Sequence, residues 1–98
     1  MSSSILSLGT VVCLENSDVK LMIIGRGSET IYQNERVYFD YTAVTIPRGL
    51  VKPDEIIFFN HDKVDKIIYE GYCDDEELNF KKEYAKIVQE IDIKKAEL

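Results

Sequence analysis

The chain has 98 residues, enough for one hydrophobic core and too few for two. Twelve basic against eighteen acidic residues give a formal charge of -6, and the acidic excess lies between Asp54 and Glu77, a distribution that repels phosphate backbones and excludes nucleic acid as an expected partner. The longest apolar run, Leu21-Met22-Ile23-Ile24, is far short of the roughly 20 residues that span a bilayer, and Met1–Leu8 has neither a basic start nor the apolar length of a secretory signal, so a soluble cytoplasmic protein without membrane insertion is expected.

Gly9–Glu15 is rich in β-branched residues and runs into the turn-forming Asn16-Ser17-Asp18, which predicts a first strand. Val19–Gly25 is predicted as its hairpin partner, and its unbroken apolar run places it centrally in the sheet, buried on both faces. Gly25-Arg26-Gly27-Ser28 lacks the remaining glycine and the lysine of a phosphate loop, so it reads as a turn that absorbs unusual dihedrals. Arg36–Ile46 is dense in aromatic and β-branched residues and predicts a third strand. Strict alternation puts Val37, Phe39 and Tyr41 on one face and Tyr38, Asp40 and Thr42 on a polar one.

The two prolines make 47–53 a loop, followed by a fourth strand over Glu55–Phe59. Asn60 is expected to cap a single helical turn over His61–Asp65, which feeds a fifth strand, Lys66–Glu70, ended by Gly71. From Asp74 the period becomes helical: Phe80, Tyr84, Ile87, Val88 and Ile91 share a stripe, and Asp74 with Glu77 forms a capping box. The expected fold class is α+β, a small, mostly antiparallel sheet of about five strands with a C-terminal α-helix, built as one domain over residues 5–98 behind a disordered 1–4. Met22, Ile24, Phe39, Phe58 and Ile67 are the expected core between sheet and helix.

The chemical signals are sparse. His61, the sole histidine, has Asp65 on its own turn and Cys73 nearby in sequence, but a zinc site needs three or four converging ligands and His-x-x-x-Asp supplies two at most. Asp74–Glu77 lacks the central glycine of a calcium loop, and four adjacent acids at a helix start are solvated rather than poised for acid–base work. No Gly-x-Ser-x-Gly elbow is present, and Cys13 and Cys73 are too few for a disulfide framework and read as reduced thiols. The expectation is no catalytic residue, no cofactor and no metal. Aromatics are the unusual feature, with six tyrosines and four phenylalanines. A domain of this size cannot bury all of Tyr32, Tyr38, Tyr69 and Tyr72. Tyr38, Tyr69 and Tyr72 are therefore candidate partner-binding anchors, with Glu76 in an acidic rim.

The ordered segments Leu8-Gly-Thr-Val-Val12, Lys20–Gly27, Phe39-Asp-Tyr41 with Pro47-Arg-Gly49, and Phe58-Phe-Asn-His-Asp62 followed by Ile67–Tyr72 resemble a small family catalogued as a domain of unknown function. Its members are encoded beside LXG-domain toxins of type VII secretion systems in Gram-positive bacteria and are known as LXG-associated targeting proteins. The resemblance implies a non-enzymatic cytoplasmic adaptor that binds the helical LXG region of a toxin, together with a second small helical protein, and presents it to the secretion machinery. The alternatives are an immunity protein that binds the toxin's lethal domain, and a small metal-dependent enzyme using His61, Cys73 and nearby acids.

Overall fold

A computed structural model describes residues 5–96, so the disorder expected for residues 1–4 lies outside the described residues. The longest element is a hairpin of β2 (Leu21–Tyr32) and β3 (Glu35–Thr45), paired antiparallel from Leu21↔Thr45 to Tyr32↔Glu35. Its two-residue turn is Gln33-Asn34, both at positive φ of 52° and 64°, which gives a connection whose twist matches the flanking strands. The strand thus runs straight through Gly25–Ser28, where a turn was expected. Gly27 does take a φ of 62°, but inside the ladder, where the register runs on unbroken from Arg26↔Tyr41 to Ser28↔Phe39; a separate bulge falls at Ile24, between the pairs Ile23↔Ala43 and Gly25↔Thr42.

β1 (Val11–Leu14) pairs antiparallel with β2 on one side and with β5 (Val64–Tyr69) on the other, while β4 (Ile57–Phe59) pairs antiparallel with β3. The sheet order is β4-β3-β2-β1-β5. After the helix α1 (Asp75–Glu90), Lys94–Lys95 form β6, which pairs parallel with β3 at Val37 and Tyr38. The fold is α+β, a mainly antiparallel sheet with one C-terminal helix. β2 fills one edge of β3 along its whole length, so β4 and β6 share the other edge. The chain leaves the sheet at β5 and returns at β3, which carries α1 across the sheet. Among the described residues no helix is long and apolar enough to cross a membrane.

Side-chain alternation breaks in the middle of β3. Phe58 and Phe59 are consecutive in β4 and so point to opposite faces. Phe39 packs on Phe58 and Tyr41 on Phe59, with ring centroids 5.5 and 5.3 Å apart, so Phe39 and Tyr41 lie on opposite faces although they are two residues apart. The break sits beside Gly27, which falls between the pairs Arg26↔Tyr41 and Ser28↔Phe39. In consequence every residue from Val37 to Val44 is buried, and Tyr38, Asp40 and Thr42 do not form the outward polar face expected of them.

Tyr41, Ala43, Ile5, Val12, Leu21, Ile23 and Phe59 form the main core, with Phe80 and Tyr84 of α1 packed on it; Val37, Phe39 and Ala96 form a second cluster with Phe58. Phe39 is buried and packs on Phe58, but on the face opposite Tyr41 and away from Phe80 and Tyr84 of α1, so the pair does not lie between sheet and helix as expected. Ile24 and Ile67 are outside the core, at 39% and 47% exposed. Ile24 lies at the bulge of a strand that buries only Leu21 and Ile23 in its apolar run, and Ile67 is on the terminal strand of the sheet.

Candidate functional site

The start of α1 is fastened to the sheet by two devices. Asp74 Oδ1 accepts from the Glu77 N–H at 2.9 Å, which satisfies one of the unpaired donors of the first turn. The Glu77 carboxylate then turns to Arg26, with the second bond of the fork at 3.1 Å, and the guanidinium stacks 4.2 Å from the Phe80 ring centroid. Gly27 passes beneath Tyr84: a Cβ there would lie 3.0 Å from Tyr84 Cε1.

Between α1 and β3 lies a cavity of about 500 Å³, lined by Tyr38, Asp40, Tyr41, His61, Tyr84 and Lys95 among others. Asp40 is its hub, accepting from the His61 N–H at 2.8 Å, the Tyr84 hydroxyl at 3.4 Å and Lys95 Nζ at 3.0 Å. The Tyr41 oxygen accepts from the Leu6 N–H at 2.9 Å and shares a hydrogen bond with His61 Nδ1, 2.6 Å away. Burial pushes the Tyr41 and Tyr84 hydroxyls, and to a lesser degree Tyr38, above the usual phenol range, and the Asp40 carboxylate adds to the effect. Asn60 does not cap the turn that follows it. It is buried, its carbonyl accepts from the Asp40 N–H at 3.0 Å, and its amide donates to the Ala96 carbonyl at 2.7 Å, while the short His61–Lys63 turn closes through backbone bonds. These groups tie β3, β6, α1 and the segment before β1 to one another. Among the described residues, no three His, Cys, Asp or Glu side chains converge as a metal site, and no buried side-chain polar atom lacks a partner.

The candidate partner-binding residues separate. Tyr38 is buried at 7% exposure, drawn under α1 by the break in β3, and is not available as a surface anchor. Tyr69 and Tyr72 are 65% and 78% exposed, and Glu76 is exposed on the first turn of α1. Ile67, Ile68 and Leu8 are exposed as well, and Gly71 lies against the backbone of Leu8 and Thr10 and donates its N–H to Thr10 Oγ1 at 3.0 Å. Ile67 and Ile68 were overlooked as surface residues because an apolar pair in a strand reads as core unless the strand is known to end the sheet. The Tyr41–His61–Asp40 network had no sequence signal beyond the lone histidine.

A family model for a domain of unknown function, DUF4176, matches residues 5–80. The chain belongs to the DUF4176 family. No curated protein and no solved structure matches it. The DUF4176 match takes in all five strands of the order β4-β3-β2-β1-β5 and stops at Phe80 in the second turn of α1. Ile67, Ile68, Tyr69, Tyr72 and Glu76 therefore lie within the DUF4176 match, whereas Tyr84 and Lys95, which help close the cavity, lie beyond it.

Proposed function

We propose that this DUF4176 protein is a non-enzymatic cytoplasmic adaptor that binds the helical LXG region of a toxin, with a second small helical protein, and presents it to a type VII secretion system. The observation that supports the reading is the edge formed by Ile67, Ile68, Tyr69 and Tyr72, exposed apolar and aromatic side chains beside an acidic helix start, inside the family span. Exposed aromatic and apolar side chains near carboxylates are the composition of a protein-recognition surface. Asp40, Tyr41, His61, Tyr84 and Lys95 in the cavity are, by contrast, bonded to one another. The partner's identity comes from the ordered segments that resemble the LXG-associated proteins.

Co-purification with the separate parts of a neighbouring LXG toxin tests this. Retention of the LXG part alone is the expected result, and the double variant Tyr69→Ala, Tyr72→Ala weakens it by on the order of 1–2 kcal/mol or more while remaining folded. Retention of the lethal part alone, with protection from killing, makes the protein an immunity factor instead.

A further inference from the structure

The two ends of α1 are held in different ways. Its first turns are pinned by the Asp74 cap, by the fork between Glu77 and Arg26, and by the Phe80 ring stacked on the Arg26 guanidinium. From residue 81 onward the helix runs along the cavity, which Lys81, Tyr84, Ala85, Val88 and Gln89 line, and it has no buried residue. Among the described residues, the polar contact between residues 81–90 and the sheet is the Tyr84 hydroxyl on Asp40 at 3.4 Å. The chain is caught again at β6. Lys95 Nζ lies 3.0 Å from Asp40 Oδ2, the Ala96 N–H donates to the Tyr38 carbonyl at 2.9 Å, and the Ala96 carbonyl accepts from the Asn60 amide at 2.7 Å. Tyr84 and Lys95 thus end on one carboxylate, that of Asp40.

A segment pinned at one end, with little burial along its length and a few bonds closing the other end, has a low-energy route of opening in which those bonds break together. The main core draws on α1 through Phe80 and Tyr84, and Phe80 lies at the pinned end. The DUF4176 match divides the cavity in the same way. Tyr38, Asp40, Tyr41 and His61 on the sheet side lie within it, and the covering residues 81–96 lie beyond it. We propose that residues 81–96 are a strap, hinged on the pinned first turns of α1 and buckled on Asp40 and Asn60, which opens as one unit and uncovers the β3 wall of the cavity while the sheet stays folded. This opening involves none of Tyr69, Tyr72 and Glu76 and is independent of the toxin-binding reading.

Hydrogen exchange of the folded, isotope-labelled full chain, followed by NMR across low urea concentrations, tests the strap. The amides of Ala85, Ile87, Val88 and Ala96 should share one opening equilibrium with a small urea dependence. After correction for intrinsic rates they should exchange at least about 100-fold faster than the Ile23 and Ala43 amides, which should show the full urea dependence of global unfolding. Lys95→Ala removes the charged bond of the buckle at a half-exposed position, and should speed exchange at all four strap amides by one common factor of about tenfold. Acceleration at Ala96 alone, or separate opening equilibria along the segment, would show that the helix end and β6 fray independently and would overturn the proposal. Strap amides that match Ile23 and Ala43 in rate and urea dependence would overturn it as well, since the segment would then open only when the whole domain unfolds.

Discussion

Arg26 and Glu77 meet across the gap between β2 and α1 with side chains only 8% and 11% exposed. α1 has no buried residue of its own, so this forked pair and the rings of Phe80 and Tyr84 hold the helix to the sheet. Removing one partner leaves the other charge desolvated. Arg26→Ala is expected to lower stability by about 3 kcal/mol, and Glu77→Gln by less, because the glutamine can still accept from the guanidinium. Replacing both by leucine should recover most of the loss. Urea unfolding of the three variants decides it; equal midpoints for Arg26→Ala and the unaltered protein would mean that α1 is held some other way.

Gly27→Ala is expected to cost about 1–2 kcal/mol from the left-handed backbone alone. The added Cβ would also press on Tyr84 at 3.0 Å, so the substitution should loosen α1 as well as β2. Thermal unfolding reports the first effect, and the near-ultraviolet circular dichroism of the tyrosines reports the second.

Three tyrosines that look equivalent in the sequence should behave differently on truncation. Tyr38→Ala empties a buried position and should destabilise by about 3 kcal/mol or more. Tyr69→Ala and Tyr72→Ala, at exposed positions, should stay within about 0.5 kcal/mol of the parent. Phe39→Ala and Ile67→Ala form a second such contrast. Comparable melting losses for Tyr38→Ala and Tyr72→Ala would contradict the burial described for β3.

Tyr41 and Tyr84 hold their protons more tightly in the folded state than at the ordinary phenol value of 10.0, because burial disfavours the phenolate. Their contribution to stability is complete below that value and is lost as pH rises above it, since the unfolded chain then releases protons that the folded chain retains. Urea midpoints should therefore fall from about pH 10 upward. The fall should be shallower in Tyr41→Phe, Tyr84→Phe, and an unchanged slope in that variant would assign alkaline unfolding to other groups.

The strands from Val11 to Leu14 and from Glu35 to Thr45 were legible because β-branched and aromatic runs both favour extended backbone and fill a core, and α1 because its stripe and the Asp74 cap coincide. What escaped was set by partners distant in sequence. The outer half of β2 is polar because it pairs only with β3 and has no core to fill, so it carried no apolar pattern, and its Gln33-Asn34 turn lacks the usual glycine. Lys94-Lys95 has no strand signature at all; it is held by β3 and by the Asn60 amide on Ala96. Tyr38 was misplaced because the alternation breaks in β3 opposite Gly27 of the neighbouring strand, a pairing that β3's own sequence does not announce. Tyr69, Tyr72 and Glu76 could be placed outside because they sit where a strand ends and a charged helix begins.

The parallel return of β6 to β3 has a kinetic side. The β2–β3 hairpin closes through two residues, whereas Lys95 reaches Tyr38 only after β5 has found β1 and α1 has crossed the sheet. Contacts so far apart in sequence form late, because loop closure precedes their reward. Substitutions at Asn60 or Lys95 should then hasten unfolding and leave the folding rate nearly unchanged, while changes at Gln33 or Asn34 should slow folding itself.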